Sequence, residues 1–440
     1  MSLPRMKTLR PLPPACRILA LATGLLLAAL PGARADAVTD WNLAFEKTLS
    51  APAERGPRVP LRALAIMHAA IFDAVNGLEK KFSPLHVTAV PPPGAHAGAA
   101  AIQAAYTVLC TLRPASLAAW DAQLSASLAT LPGDPALAPA LANGRAWGTT
   151  VAQAILAWRA DDGSTTVLPP FTGPTAPGYW RHAPLGGSAT AGYASLATRP
   201  FLLANPAEFD PGPPFGGADR AAVLAGAAYA KDVNEVQARG GATSTIRTAA
   251  ELDEALFLDA CDVASMNGVL RSRVPAEVPL VENARAFALL NLAAFDTQVV
   301  FFRFKYQRAF WRPFQAINYA DEDNNPATQP DPAWKSYLPT PPHPEYVSAH
   351  VTLFTVLLQV MALLQGDDRP VVLTAPASHA FPGGTKPFPS LAAISDATIE
   401  ARINIGFHFR TTATNSQQLG RQLAAALLEY HLSPLRPPPQ

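Results

Sequence analysis

Apolar residues recur at intervals of three and four along most of this chain, the spacing that gathers side chains on one face of an α-helix. The segment PLRALAIMHAAIFDAVNGLEKK, residues 60–81, carries Leu61, Leu64, His68, Ile71 and Val75 on one stripe. Pro60 stands where a helix start tolerates its missing N–H. Ala-rich amphipathic stretches at 94–112, 115–131 and 135–160 extend the pattern. It resumes at 217–238, 248–270, 280–311, 345–365, 390–406 and 415–432. Strict apolar-polar alternation of useful length is missing, and so is any fixed-period repeat. The expected fold class is all-α, with no significant sheet.

Between residues 162 and 215 the periodicity stops, and the text turns to proline and glycine in LPPFTGPTAPGYW and FDPGPPFGG. An irregular segment of that length inside a packed protein is usually functional or a connector. The expected organisation is an N-terminal helical bundle over 36–161, a connector over 162–215 and a C-terminal bundle over 216–440.

Residues 1–35 read differently. Arg5, Lys7, Arg10 and Arg17 precede the apolar run ILALATGLLLAAL, and small residues at Ala33 and Ala35 close it. This is the pattern of a secretory signal peptide cleaved before Asp36, and the expected location is periplasmic or secreted. The leader holds five of the 34 basic residues and no acid, so the remainder has 29 basic against 33 acidic side chains, a net charge of −4. A balance of that sign carries no nucleic-acid footprint. Later apolar stretches such as VTLFTVLLQVMALLQ, residues 351–365, fall short of the roughly 20 residues a bilayer span needs. Cys110 and Cys261, the cysteines beyond the leader, have no metal-binding spacing, and their pairing is left open. The sequence is compatible with a homo-oligomer.

Candidate chemistry starts at KYQRAFWRPFQAI, residues 305–317, which closes an apolar helix with Lys305, Arg308 and Arg312. On one continuous helix, Lys305 and Arg312 would lie two turns apart, about 10 Å, on a single cationic face with Arg308 between them. Apolar and aromatic neighbours imply burial, and buried cations need an anion. In PTPPHPEYVSAHVTLF, residues 339–354, the prolines stop any earlier helix. Ser348, Ala349 and His350 are therefore expected at a helix N-terminus, where free N–H groups favour an oxyanion. In EARINIGFHFRTTATNSQQLG, residues 400–420, Arg402 and His408 would diverge on an unbroken helix; Gly406 offers a bend that aims both at one point.

Taken in this order, Lys305-x6-Arg312-Pro313, Ser348-x-His350 and Arg402-x5-His408 resemble the three-part signature of the vanadium-dependent haloperoxidase and type 2 phosphatidic acid phosphatase superfamily. HAAIFDAVN, KYQRAFWRPFQAI and PTPPHPEY are similar to its secreted bacterial vanadium-haloperoxidase branch. The resemblance implies a vanadate cofactor, or phosphate in the same site, held by Lys305, Arg312, Ser348, Ala349 and Arg402. His408 matches the histidine that bonds to vanadium or attacks phosphorus, and His350 the acid–base histidine. Hydrogen peroxide, a halide and a small organic substrate are the implied reactants. His343 stands where brominating members carry histidine and chloride-using members phenylalanine, which favours bromide or iodide.

Two departures bear on function. Ala349 replaces the usual glycine, and Thr412 stands where the phosphatase motif carries an aspartate. Threonine cannot supply the charge that raises a histidine's basicity, so this position tilts toward vanadate ligation. The readings kept are a vanadium-dependent haloperoxidase, an acid phosphatase with a phosphohistidine intermediate, and a non-catalytic oxyanion-binding protein. Asp296 could neutralise a cation of the site, and His68, inside an apolar face, reads as a hydrogen-bonded core histidine.

Overall fold

The computed structural model describes residues 36–49, 61–181, 191–275, 277–367, 369–429 and 432–435. The leader read at 1–35 lies outside them, and residues 36–440 form one compact unit. The chain is predominantly helical, as its periodicity predicts. An extra first helix, α1 (Ala37–Lys47), is fixed by a capping box between Asp36 and Thr39.

Four helices follow: α2 (Leu61–Glu79), α3 (Ala97–Leu112), α4 (Leu117–Ala129) and α5 (Ala138–Trp158). Helices α2, α3 and α5 pack on one another. The α3–α5 approach is close enough that a Cβ on Gly148 would come within 2.3 Å of the Ala100 carbonyl oxygen. Past the connector come α6 (Arg220–Leu224), α7 (Ala227–Arg239), α8 (Ala249–Ala260), α9 (Val263–Arg273) and the long α10 (Leu280–Arg308). The single helix expected over 248–270 is broken at Cys261, because Asp262 caps a new helix by accepting from Ser265 N–H. After α11 (Pro313–Asn318), helices α12 (Ala349–Gln365), α13 (Leu391–Asn404) and α14 (Arg410–Glu429) complete the fold. Helix α10 packs against α2 of the first group and α12 of the second, which makes it the shared spine.

A small sheet departs from the sequence reading. Strand β1 (Val371–Ala375) pairs antiparallel with β2 (Gly384–Phe388), Val371 opposite Phe388. Val371, Leu373 and Ala375 do alternate buried with exposed; five residues are too few for that period to stand out.

Asp296 serves the connector, not the cations. Its carboxylate accepts from the N–H groups of Phe201, Leu202 and Leu203 at 2.6, 2.7 and 3.0 Å, and burial lifts its carboxyl to about 6. His68 is a core histidine, with Nε2 2.9 Å from Asn42 Nδ2 and its ring stacked on Phe287. Cys110 and Cys261 are free thiols. Helices α2 and α10 are long and apolar enough to span a bilayer by length and composition, but both are mostly buried against other helices.

Candidate active site

The three motif segments converge beside the C-terminal end of α10. That helix ends at Arg308 because Ala309 turns left-handed, φ 45° and ψ 43°. Lys305 and Arg312 therefore do not share one helix face: Arg312 follows a short extended link and caps α11, with Pro313 in its first turn. The turn separates the three cations. Lys305 and Arg312 are fully buried, whereas Arg308 points away and pairs with Asp210 at 2.6 Å, so it is no part of the cage.

Lys305 Nζ donates to the carbonyls of Pro344 and Glu345 at 2.9 and 3.0 Å, which ties the second motif to the first. Arg312 spreads its fork over His343, Phe407 and, from Nη1 at 3.2 Å, His408 Nε2. Nε donates to the His343 carbonyl at 2.9 Å and Nη1 to the Phe407 carbonyl at 2.9 Å; Nη2 lies 2.8 Å from His343 Nδ1. His343 is thus buried against the site and edge-on to Phe302. Burial first, then Lys305 and Arg312, holds its imidazole well below the ordinary range.

Ser348 caps α12 from an extended backbone, and its hydroxyl oxygen accepts from Val351 N–H at 3.5 Å. Ala349 and His350 occupy the first turn, where N–H groups lack intrahelical acceptors. His350 Nε2 sits 3.0 Å from the Leu258 carbonyl. A carbonyl only accepts, so the proton is on Nε2 and Nδ1 keeps its lone pair. Burial, and then Arg402, pushes this imidazole down to about 3, and it is neutral at ordinary pH.

The third segment bends as its glycine predicts. Gly406 has φ +79°, and a Cβ there would lie 2.6 Å from the Gly240 carbonyl oxygen; only glycine fits. The bend carries His408 back toward Arg402. Arg402 Nη2 pairs with Asp259 of α8 at 2.6 Å, while its buried Nε has no partner among the described residues.

Glu345, absent from the sequence reading, lies beneath His408. Its Oε1 is 2.8 Å from His408 Nδ1 and 3.2 Å from Phe409 N, and its Oε2 accepts from Thr412 Oγ1 at 2.8 Å. The charge missing at Thr412 is therefore present beside it, supplied from the second motif, and the tilt drawn from Thr412 against phosphatase chemistry is withdrawn. Burial pushes the Glu345 carboxyl up to about 7, although Arg312 and Lys305 oppose the rise. Burial, reinforced by Arg312 and Lys305, holds His408 well below the ordinary histidine range. Asp259 was missed as well. Its partner is far away in sequence and nothing local marks it; a lone acid inside a proline-rich motif was a usable signal for Glu345.

These side chains face a cavity of about 310 Å³. Arg312, His343, Ala349, His350, Arg402 and His408 line it directly; Phe301, Leu338, Leu353, Phe354 and Phe407 form apolar walls, and exposed His379 lines it as well. Lys305 and Ser348 stand behind the lining. Among the described residues the buried basic side chains Lys305, Arg312 and Arg402 meet Glu345 and Asp259, and burial, then Arg312, pushes the Lys305 ammonium well below its ordinary range. The two guanidiniums, an Arg402 Nε without a partner among the described residues and the N-terminal turn of α12 make a donor set that fits a multiply charged oxyanion.

Comparison with known proteins bears on the fold. Residues 285–436 match the VCPO second helical-bundle domain. A bacterial vanadium-dependent iodoperoxidase superposes with a TM-score of 0.73 at 20% identity, covering 91% of this chain and 98% of its own. A holo-type bacterial vanadium-dependent chloroperoxidase gives 0.67 at 16% identity, covering 90% and 97%; an apo-type one gives 0.64 at 16%, covering 84% and 92%. No curated protein matches the sequence. The fold is that of the vanadium haloperoxidase-like superfamily, and residues 285–436 are similar to its second helical-bundle domain.

Proposed function

We propose that this protein is an exported vanadate-dependent haloperoxidase that oxidises bromide or iodide with hydrogen peroxide and passes the oxidised halogen to electron-rich organic molecules. The observation that carries the reading is His408: an imidazole held well below its ordinary range, lining one cavity with the buried guanidiniums of Arg312 and Arg402. In this reading Arg312 and Arg402 hold oxyanion oxygens with their planar forks and Lys305 adds a point charge from behind. The Ser348 hydroxyl and the Ala349 N–H bind further oxygens, and His408 Nε2 is the ligand to vanadium. Bound vanadate supplies a Lewis-acid centre that activates peroxide without changing its own oxidation state. His350, which lines the cavity, would take a proton from the incoming peroxide. His343 faces the halide, and the aromatic walls limit water. Cleavage of the leader before Asp36 would deliver the enzyme outside the cytoplasm.

Glu345 favours a second reading. A carboxylate behind a histidine strengthens it as a nucleophile, so the same cage suits a phosphatase acting through His408. The experiment is one assay set on the mature chain, stripped of metals: bromination of an activated phenol with peroxide and bromide, with and without orthovanadate, beside hydrolysis of a phosphomonoester. Vanadate-dependent bromination supports the first reading. Hydrolysis lost in His408→Ala, without bromination, replaces it with the second, and oxyanion binding without either turnover leaves a binding protein.

A further inference from the structure

Glu345 is an expensive residue to place where it is. It is fully buried, and an isolated buried carboxylate costs several kcal/mol unless its oxygens are satisfied. Here each oxygen has work: Oε1 faces His408 Nδ1 and Phe409 N–H, and Oε2 accepts from Thr412 Oγ1. The three partners belong to one short stretch at the start of α14, so the carboxylate spans the second and third motifs.

The other side of the imidazole is constrained too. Arg312 Nη1 approaches His408 Nε2 at 3.2 Å, and a guanidinium only donates. Nε2 must then be the unprotonated nitrogen, and Nδ1 must carry the proton, which points at Glu345 Oε1. The two contacts admit one tautomer. The geometry assigns to Glu345 the role of positioning residue for His408: it holds the proton on Nδ1, so that Nε2 keeps a lone pair, which Arg312 Nη1 occupies here and would release to a bound oxyanion. This rests on the reading that the cage holds an oxyanion. A purely structural alternative exists, in which Glu345 braces residues 344–347 against α14 and the state of the imidazole is incidental.

The test uses the mature chain labelled with ¹⁵N-histidine and free of vanadate, with the His408 signals identified by their loss in His408→Ala. The expected spectrum shows His408 protonated on Nδ1 only. A proton on Nε2 in the wild type, or an unchanged Nδ1-only spectrum in folded Glu345→Ala, overturns the assignment, whatever the cage binds. Glu345→Gln keeps the shape and one acceptor but removes the charge; it is expected to fold normally and to weaken orthovanadate binding by equilibrium dialysis about tenfold or more, the usual loss when a ligand's supporting partner is removed. Glu345→Ala, which removes the acceptor, should lose the single tautomer as well. Orthovanadate affinity equal to wild type in folded Glu345→Gln contradicts the assignment. Wild-type protein that binds neither orthovanadate nor inorganic phosphate overturns the oxyanion reading instead, and the tautomer of wild type compared with Glu345→Ala still decides the role of Glu345.

Discussion

Arg402→Gln tests the cage where it is least encumbered. The guanidinium is 3% exposed, one arm is held by Asp259 at 2.6 Å, and its Nε has no hydrogen-bond partner among the described residues. An oxyanion in the cavity would satisfy that donor with a charge-assisted bond, worth about 1.5–3 kcal/mol. At 1.4 kcal/mol per factor of ten, glutamine should raise the orthovanadate Kd about 10- to 100-fold. Folding should survive: the Asp259 side chain is 22% exposed, so water can replace its lost partner, and the pair with the buried guanidinium contributes about 1.5–3 kcal/mol. Equilibrium dialysis against orthovanadate, with urea unfolding of the same samples, separates the two effects. A wild-type Kd in the folded variant would refute the placement of Arg402 in the cage; a loss of binding matched by a collapse of stability would refute the energetic argument.

Three further outcomes follow from particular contacts. His343→Ala should lower bromide turnover about 100-fold while orthovanadate still binds, and undiminished bromination kinetics would remove His343 from the chemistry. Asp296→Ala strands three buried N–H groups, so the denaturation midpoint should report a loss of about 3 kcal/mol or more; a near-neutral change would mean the connector is held by something else. His68 is depressed from 6.5 to about 3 by burial, with Arg271 second. The unfolded chain then binds a proton that the folded one refuses, so its share of stability is present above pH 6.5 and is lost as pH falls toward 3. Relative to His68→Gln, the wild type should lose about 1.4 kcal/mol per pH unit in that window, and parallel stability–pH curves would contradict the buried neutral assignment.

The sequence revealed what is local. Helical periodicity located most of the helices, and three short motifs marked residues that the fold brings to one cavity. Gly406 showed its bend in advance because a left-handed backbone position selects for glycine. Non-local geometry stayed hidden. The left-handed turn at Ala309, which sends Arg308 to Asp210 and Arg312 into the site, falls on a residue with no preference for that conformation. The partners that set the electrostatics arrive from elsewhere: Asp259 reaches Arg402 across 143 positions and Glu345 reaches His408 across 63. Thr412 was judged by its own side chain alone, and the carboxylate it lacks comes from another segment.

The most direct measurement is a crystal structure of the mature chain soaked in orthovanadate. The account predicts one vanadium per chain in the cavity, bonded to His408 Nε2, with its oxygens on Arg312, Arg402, Lys305 and the Ala349 N–H. A vacant cavity at saturating orthovanadate, or vanadium bound away from His408, would contradict it.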